Sequence, residues 1–411
     1  MPGIDIHALE GDLLLRGVWE GLGTPECHLT GGYVRDRLLR RESVDLDLVL
    51  PGSLETASGP AQRLAARLDT RAHVLGRDAN RVWRIETSEI RIELWPLGDL
   101  DLEQDIKRRD FSCNALVWTL PDGPLDDRVD GVADLEARVI RALSKKNLKD
   151  DPVRLVRAPR FLAQLEGFDI EPQTSRWIRE LAPDCVNAPR ERVGQELLKL
   201  LGASGAGAGI RALIDLWLLK PAAPAASRCD RRWLESHVEA ASRLAGTAAH
   251  PVPAAVREAG IASQLALLLR GWGNPGANAV AAYAWPRTLR RFAARAAALL
   301  DEALAAVDAP VAERRLFIYI AGTAFPVTMT LAAAVEPDQP WARWWRLWRE
   351  RGEELVNPEP LLTGNEIEAL LGTEPGPALG RAVDSLIEAQ VRGEVKTAAG
   401  ARRWLTRRFE L

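Results

Sequence analysis

About a third of the way along this chain the period of its hydrophobic pattern changes. Up to about Leu143 the sequence carries short apolar runs with strand-like alternation. From about Asp150 onward apolar residues recur at spacings of three and four, as in Leu155, Val156, Phe161, Leu162 and Leu165. Side chains alternate between the two faces of a strand but return to one face of a helix only every three or four residues. The two stretches therefore belong to different architectures, and the fold class expected is α+β: a small mixed sheet followed by an all-helical remainder. A length of 411 residues exceeds one ordinary core, so two to four domains are expected. In the first stretch, strands are expected at Cys27–Thr30, Val44–Leu50, Ala72–Leu75, Val82–Thr87 and Ile90–Trp95. Helices are expected over Tyr33–Arg41 and Leu54–Leu68.

Chemistry concentrates first in the stretch from Gly31 to Leu50. Without Cβ atoms, Gly31 and Gly32 let the backbone turn sharply or approach a phosphate. The free N–H groups of the helix that follows suit an anion. The run V-D-L-D-L-V-L alternates, which puts Asp45 and Asp47 on one face of a strand. Two carboxylates beside a glycine turn suit Mg²⁺ and a triphosphate. A D-x-D pair alone is also what a solvated strand edge looks like, so the weight falls on the rest of the chain. Glu93, in R-I-E-L-W, would be a third carboxylate if adjacent strands bring it beside Asp45 and Asp47. It could then serve as general base or metal ligand; an edge-strand glutamate fits the same spacing.

Arginines supply the second half of the pattern. The Arg109-Asp110 pair precedes an apolar run, and an arginine fork can grip two phosphate oxygens. Arg154, Arg157 and Arg160 recur every three residues, in a stripe that winds slowly round a helix. Asp151 lies one turn before Arg154. A carboxylate there can accept from an exocyclic amine while the guanidinium donates to a ring nitrogen. Cytosine and adenine present that edge, and uracil and guanine present the reverse, so the pair could select C and A. An intrahelical salt bridge is the plainer reading of the same spacing.

In chain order, GG-x-V-R-D, D-x-D, R-R-D-F-x-x-N-A and D-D-P-x-R-x-x-R-x-x-R-F resemble the class II tRNA nucleotidyltransferase/poly(A) polymerase family over about residues 27–201. Glu191–Leu201 resembles that family's next helical motif, and Leu361–Gly380 resembles the tail of bacterial CCA-adding members. The resemblance implies a nucleotidyltransferase head (1–143) and a helical neck (144–218), body (219–340) and tRNA-binding tail (341–411). It implies template-free addition of nucleotides from CTP, and from ATP for a terminal A, to tRNA lacking part or all of its 3′ CCA. Asp45 and Asp47 would hold Mg²⁺, with Glu93 as the third catalytic carboxylate. Gly31, Gly32, Arg35, Asp36, Arg109, Asp110, Asn114, Arg157 and Arg160 would contact the nucleotide, and Asp151 with Arg154 would read its base.

Four departures from the family pattern stand out. Asp150 stands in place of a glutamate and Arg40 in place of a glycine. Pro159 lies inside the arginine helix, where a kink that displaces Arg160 is expected. Between Glu93 and Arg108 there is no room for the flexible loop that full CCA-adding members carry and CC-adding members lack. CC addition is therefore the preferred reading. Full CCA addition, A addition, poly(A) synthesis and an inactive RNA-binding relative are the alternatives.

A net charge of −3 gives no overall pull on nucleic acid. RNA contact would need local basic surfaces, such as Arg287, Arg290, Arg291 and Arg295, or Arg402, Arg403, Arg407 and Arg408. Solvated helix faces have the same composition. Cys27, Cys113, Cys185 and Cys229 are far apart and lack metal-ligand spacing, which suits a reducing, cytoplasmic setting. No signal peptide and no apolar run of about 18 residues are expected, hence no membrane partner. Trp341, Trp344, Trp345 and Trp348 fall at helical spacing, and a buried core stripe is expected of them rather than base stacking.

Overall fold

A computed structural model describes residues 4–23, 26–76, 81–223, 238–244, 259–271 and 283–409. Cys229 lies outside them. The chain divides into two compact units, Met1–Pro189 with Ala212–Ala222, and Arg190–Arg211 with Ala223–Leu411. The described strands all fall in the first.

That unit is built on a seven-stranded sheet in the order β3-β4-β5-β2-β1-β6-β7. The strands are β1 (His28–Thr30), β2 (Asp45–Leu50), β3 (Ala72–Leu75), β4 (Val82–Glu86), β5 (Arg91–Pro96), β6 (Val117–Thr119) and β7 (Leu125–Asp126). β3, β4 and β5 form the expected antiparallel meander. β5 then pairs parallel with β2, and this parallel pair makes the sheet mixed. β6 and β7 were not foreseen; each is only two or three residues long, too short to show alternation. Leu46, Leu48, Ile85, Ile92 and Leu94 are fully buried. Their alternates Asp45, Asp47, Arg84, Glu86, Arg91 and Glu93 lie on the opposite face, so burial of the apolar face fixes where the charged groups stand.

α1 (Leu13–Leu22) is capped by Asp12. α2 (Gly32–Leu38) ends three residues short of the expected Arg41. Arg40 sits in the left-handed region, φ 57°. A glycine takes that conformation at no steric cost, whereas a side chain pays about 1 kcal/mol or more. Arg40 is therefore strained at a position where the resemblance leads to the expectation of glycine. α3 (Ser58–Arg67) begins four residues later than expected.

α4 (Leu102–Lys107), α5 (Gly131–Ala137), α6 (Lys145–Asp150) and α7 (Val153–Gln164) complete the surroundings of the site. Pro152 is the N-cap of α7, and the Asp151 side chain just before it accepts from the Val153 N–H at 3.3 Å. The expected displacement at Pro159 is not found. α7 runs through it without a break, and Arg160 is buried in place. The proline removes only one helical hydrogen bond, and the segment is held by burial, with Phe161 edge-on to Phe111, their ring centres 5.5 Å apart.

The second unit is helical. Trp341, Trp344 and Trp345 are buried, and Phe325 packs against Trp344, Trp345 and Trp348, so the tryptophan stripe is core. One expectation is corrected here. Val311–Val335 is apolar enough and long enough, by composition and length, to cross a bilayer. It is in fact two helices, Val311–Ala321 and Phe325–Val335, joined by a 3₁₀ turn, and most of it is buried inside the unit. Three last helices, Gly364–Leu371, Pro377–Arg392 and Ala398–Arg408, share a core of Leu362, Ile367, Leu386 and Leu405 among others.

Candidate active site

β2 brings Asp45 and Asp47 to one face, and the parallel register with β5 sets Glu93 directly beside Asp47. On Asp47's other side is β1, with Thr30 opposite it, and the chain then turns through Gly31. Gly31 has φ 76°, and a Cβ there would lie 2.8 Å from Asp47 Oδ2. The first glycine is thus required twice, by backbone and by space. A Cβ at Gly32 would meet only Arg35 at 3.5 Å, an ordinary contact.

The three carboxylates have different surroundings. Asp45 is 62% exposed and lies 3.3 Å from Arg91 Nη1. Glu93 is gripped by Arg84, whose Nε donates to it at 3.1 Å and whose Nη2 donates to the same oxygen. Asp47 is pushed up to about 6, first by burial and then by the charge of Glu93, against the pull of Arg109 and Arg157. The protein thus holds a part-buried anion beside a second anion, an arrangement that a bound cation would relieve. Among the described residues no three His, Cys, Asp or Glu side chains converge as a metal-holding group. The donor set expected from the sequence is the aspartate pair. That fits Mg²⁺, which takes one or two carboxylates and fills its remaining positions with water and phosphate oxygens.

Behind the carboxylates lies an arginine framework. Arg35 is buried, forks onto Asp36 at 2.9 and 3.0 Å, and donates to Asn114 Oδ1 at 2.7 Å. Arg109 forks onto Asp105 at 2.6 and 3.0 Å and donates to the Asn114 carbonyl at 3.3 Å. Asp110 is buried, accepts from the Phe111 N–H at 2.8 Å and pairs with Arg157 at 2.9 Å. Burial pushes Asp110 up, but Arg157, the Phe111 N–H, Arg154 and Arg160 together hold it below the usual carboxylate range. Arg160, Arg35 and Arg157 lie 3.8, 5.2 and 5.6 Å from the centre of the Phe161 ring, within cation–π range.

Asp151 and Arg154 stand one turn apart, with Arg154 Nε 3.9 Å from Asp151 Oδ2 and both side chains partly exposed. Arg154 Nη1 donates to the Asn147 carbonyl at 3.0 Å. Burial lowers Arg154 from the ordinary arginine range, with Asp110 and Asp151 pulling the other way.

Five residues of this site escaped the sequence reading. Arg84, Arg91 and Asp105 each bind a candidate directly. Asp105 stands four residues before Arg109, a signal that was available. Phe161 was read as an apolar position of the helix and as part of a motif, not as the ring on which three arginines gather. Asn147 carried no signal: its amide donates to the carbonyls of Lys107 and Arg109, both at 2.7 Å, a purely tertiary role.

A mixed sheet bearing a strand-borne aspartate pair, backed by a framework of arginines, is the arrangement the sequence led one to expect of a nucleotidyltransferase. Residues 27–141 match the Poly A polymerase head domain family. Residues 167–229 match the family described as the probable RNA and SrmB-binding site of polymerase A. The A-adding tRNA nucleotidyltransferase of Deinococcus radiodurans is 32% identical over 432 residues, covering 93% of this chain and 95% of that one. The CC-adding tRNA nucleotidyltransferase of Geobacter sulfurreducens is 32% identical over 406 residues, covering 92% and 91%. The crystal structure of the Bacillus stearothermophilus CCA-adding enzyme in complex with CTP shares the fold at a TM-score of 0.74 and 22% identity, over 97% of this chain and 96% of that one. The chain belongs to the tRNA nucleotidyltransferase/poly(A) polymerase family.

Proposed function

We propose that this enzyme adds C to the 3′ end of tRNA without a template and stops at CC. The observation that carries the reading is the span from Glu93 to Arg108. β5 runs to Pro96, and α4 starts at Leu102 behind a capping box of Asp101 and Gln104, so ordered elements take up almost all of it. Nothing is left over for the loop that full CCA-adding members carry. The D. radiodurans relative favours a second reading, A addition.

In this reading Asp45 and Asp47 hold Mg²⁺, and Glu93 is the neighbouring base or electrostatic partner. When bound, the metal stabilises the attacking 3′ oxygen and the departing pyrophosphate oxygens of an in-line displacement. Arg109, Arg157 and Arg160 face the phosphates with Gly31 and Gly32, while Arg35, Asp36, Asp110 and Asn114 hold those arginines and the glycine turn in place. Asp151 and Arg154 read the base. The exposed Arg287, Arg291, Arg403, Arg407 and Arg408 are phosphate contacts for tRNA. Arg402 is instead engaged with Glu366 at 2.9 Å. The setting is the cytoplasm, where CTP, ATP and tRNA meet.

The test is incorporation on three tRNA transcripts, ending before CCA, after C and after CC, with Mg²⁺ and CTP, ATP or both. Products that stop at CC with ATP present are the expected result. Growth to CCA, or addition of A alone to the CC end, overturns the CC reading. In the same assay Arg154→Ala is expected to lose selection against UTP by about tenfold or more, the size of one lost discriminating hydrogen bond to a charged group. Unchanged rejection of UTP removes Arg154 from the base-reading role.

A further inference from the structure

The aspartates of β2 are the inner ends of two charged rows that cross β4, β5 and β2. The register aligns Glu86, Arg91 and Asp45 in one row and Arg84, Glu93 and Asp47 in the next. The rows have opposite order of charge. In the second, the cation is on the outer strand, and Asp47 has an anion as its neighbour. In the first, the cation is in the middle and touches both sides: Arg91 donates to Glu86 at 3.1 Å and to Asp45 at 3.3 Å. A planar guanidinium can serve two carboxylates at once and lean toward either one.

We propose that Arg91 is a resident counter-cation of Asp45 that competes with the divalent ion for this carboxylate, and that Glu86 tunes the competition by drawing Arg91 the other way. The inference rests on the reading of Asp45 and Asp47 as the metal-holding pair. It separates the two aspartates by role. Asp47 is short of positive charge, so its affinity for a cation is built in. Asp45 is already neutralised and gives up an ion pair when it coordinates. All three members of the row are substantially exposed, so the competition is screened and modest. Its size is about fivefold in affinity, the equivalent of the ~1 kcal/mol that two charges 4 Å apart exchange in water.

The test is Mn²⁺ binding to the full chain, without nucleotide or RNA, at low ionic strength, read from the electron paramagnetic resonance signal of free Mn²⁺. Arg91→Gln is expected to bind Mn²⁺ about fivefold more tightly than the unaltered protein. Glu86→Gln is expected to bind it more weakly, because Arg91 then leans wholly on Asp45. Arg67→Gln, which breaks a surface pair with Glu20 at 2.9 Å, makes the same charge change elsewhere and is expected to leave binding as it was. Equal affinity in Arg91→Gln and the unaltered protein overturns the proposal. So does tightening in Glu86→Gln, or an Arg67→Gln effect as large as that of Arg91→Gln. Asp45→Asn and Asp47→Asn keep the two levels apart. If both bind Mn²⁺ undiminished, the metal assignment falls and the proposal with it. If both lose binding while Arg91→Gln and Glu86→Gln match the unaltered protein, the assignment stands and the proposal alone fails.

Discussion

Asp47→Asn is expected to cost about 10³-fold or more in nucleotide incorporation and, in the same protein, to raise the melting temperature. The loss follows from removing half of the carboxylate pair, since metal stabilisation of the transition state is worth several kcal/mol. The gain follows from the surroundings of Asp47, which burial and Glu93 push up to about 6 from an ordinary value near 3.8. The folded state therefore binds this proton more tightly than the unfolded state does. Above about pH 6 the fold carries a charged carboxylate at a cost of at most about 2–3 kcal/mol. As pH falls through 6 that cost lifts, and below about 4 it is gone. Asparagine removes it at every pH. The melting difference should thus be a few degrees at pH 8 and shrink toward zero near pH 4. Melting in EDTA across that range is the measurement, with Mg²⁺ added in a parallel series. Identical melting of the two proteins at pH 8 in EDTA would sink the account of Asp47 as a strained anion.

The same kind of substitution one motif later is expected to act in the opposite direction. Asp110→Asn should destabilise the fold by about 3–5 kcal/mol, the usual result of breaking one side of a buried ion pair. Asparagine can still accept from the Phe111 N–H, but it leaves Arg157 without its 2.9 Å partner, beside Arg160 and Arg35 around one phenylalanine ring. Because Asp110 titrates below the usual range, its contribution is complete above the unfolded value near 4 and is lost as pH falls through the folded value. The gap between the two proteins should narrow in acid. Urea midpoints at pH 7 and at about pH 2, below the unfolded carboxylate value, would measure this. Adding Arg157→Gln should recover part of the loss, since the charge that faced Asp110 goes with it. Equal midpoints at pH 7 would mean that the pair does not hold the framework together.

These opposite signs explain what could be read from sequence and what could not. The break near Leu143, the meander and the face shared by Asp45 and Asp47 were legible because each depends on local periodicity. Glu93 was legible only as one of two possibilities, because the β2–β5 pairing joins strands some forty residues apart, and spacing cannot supply such a register. Pro159 misled because a propensity rule was set against tertiary packing, and the packing of Phe161 on Phe111 prevailed. Val311–Val335 was overlooked for a different reason: its apolar residues are interrupted by Gly322 and by scattered polar residues, so no unbroken run marks a stretch whose average is nonetheless apolar. The partners of the site, Arg84, Arg91 and Asn147, contact their targets across strands or across elements, where no short-range pattern reaches.

Asn147 gives the pocket a fixed measure. Its side-chain amide ties down the carbonyls on either side of Arg108, and its own carbonyl holds the guanidinium of Arg154. On the proposed assignment Arg109 meets the phosphates and Arg154 meets the base, so a single residue, through its side-chain amide on one side and its backbone carbonyl on the other, sets the opening of a calliper between the two ends of the ligand. An instrument of that kind grades a molecule by length before it judges its chemistry. A nucleoside that lacks its phosphates would fill one jaw and leave the other idle.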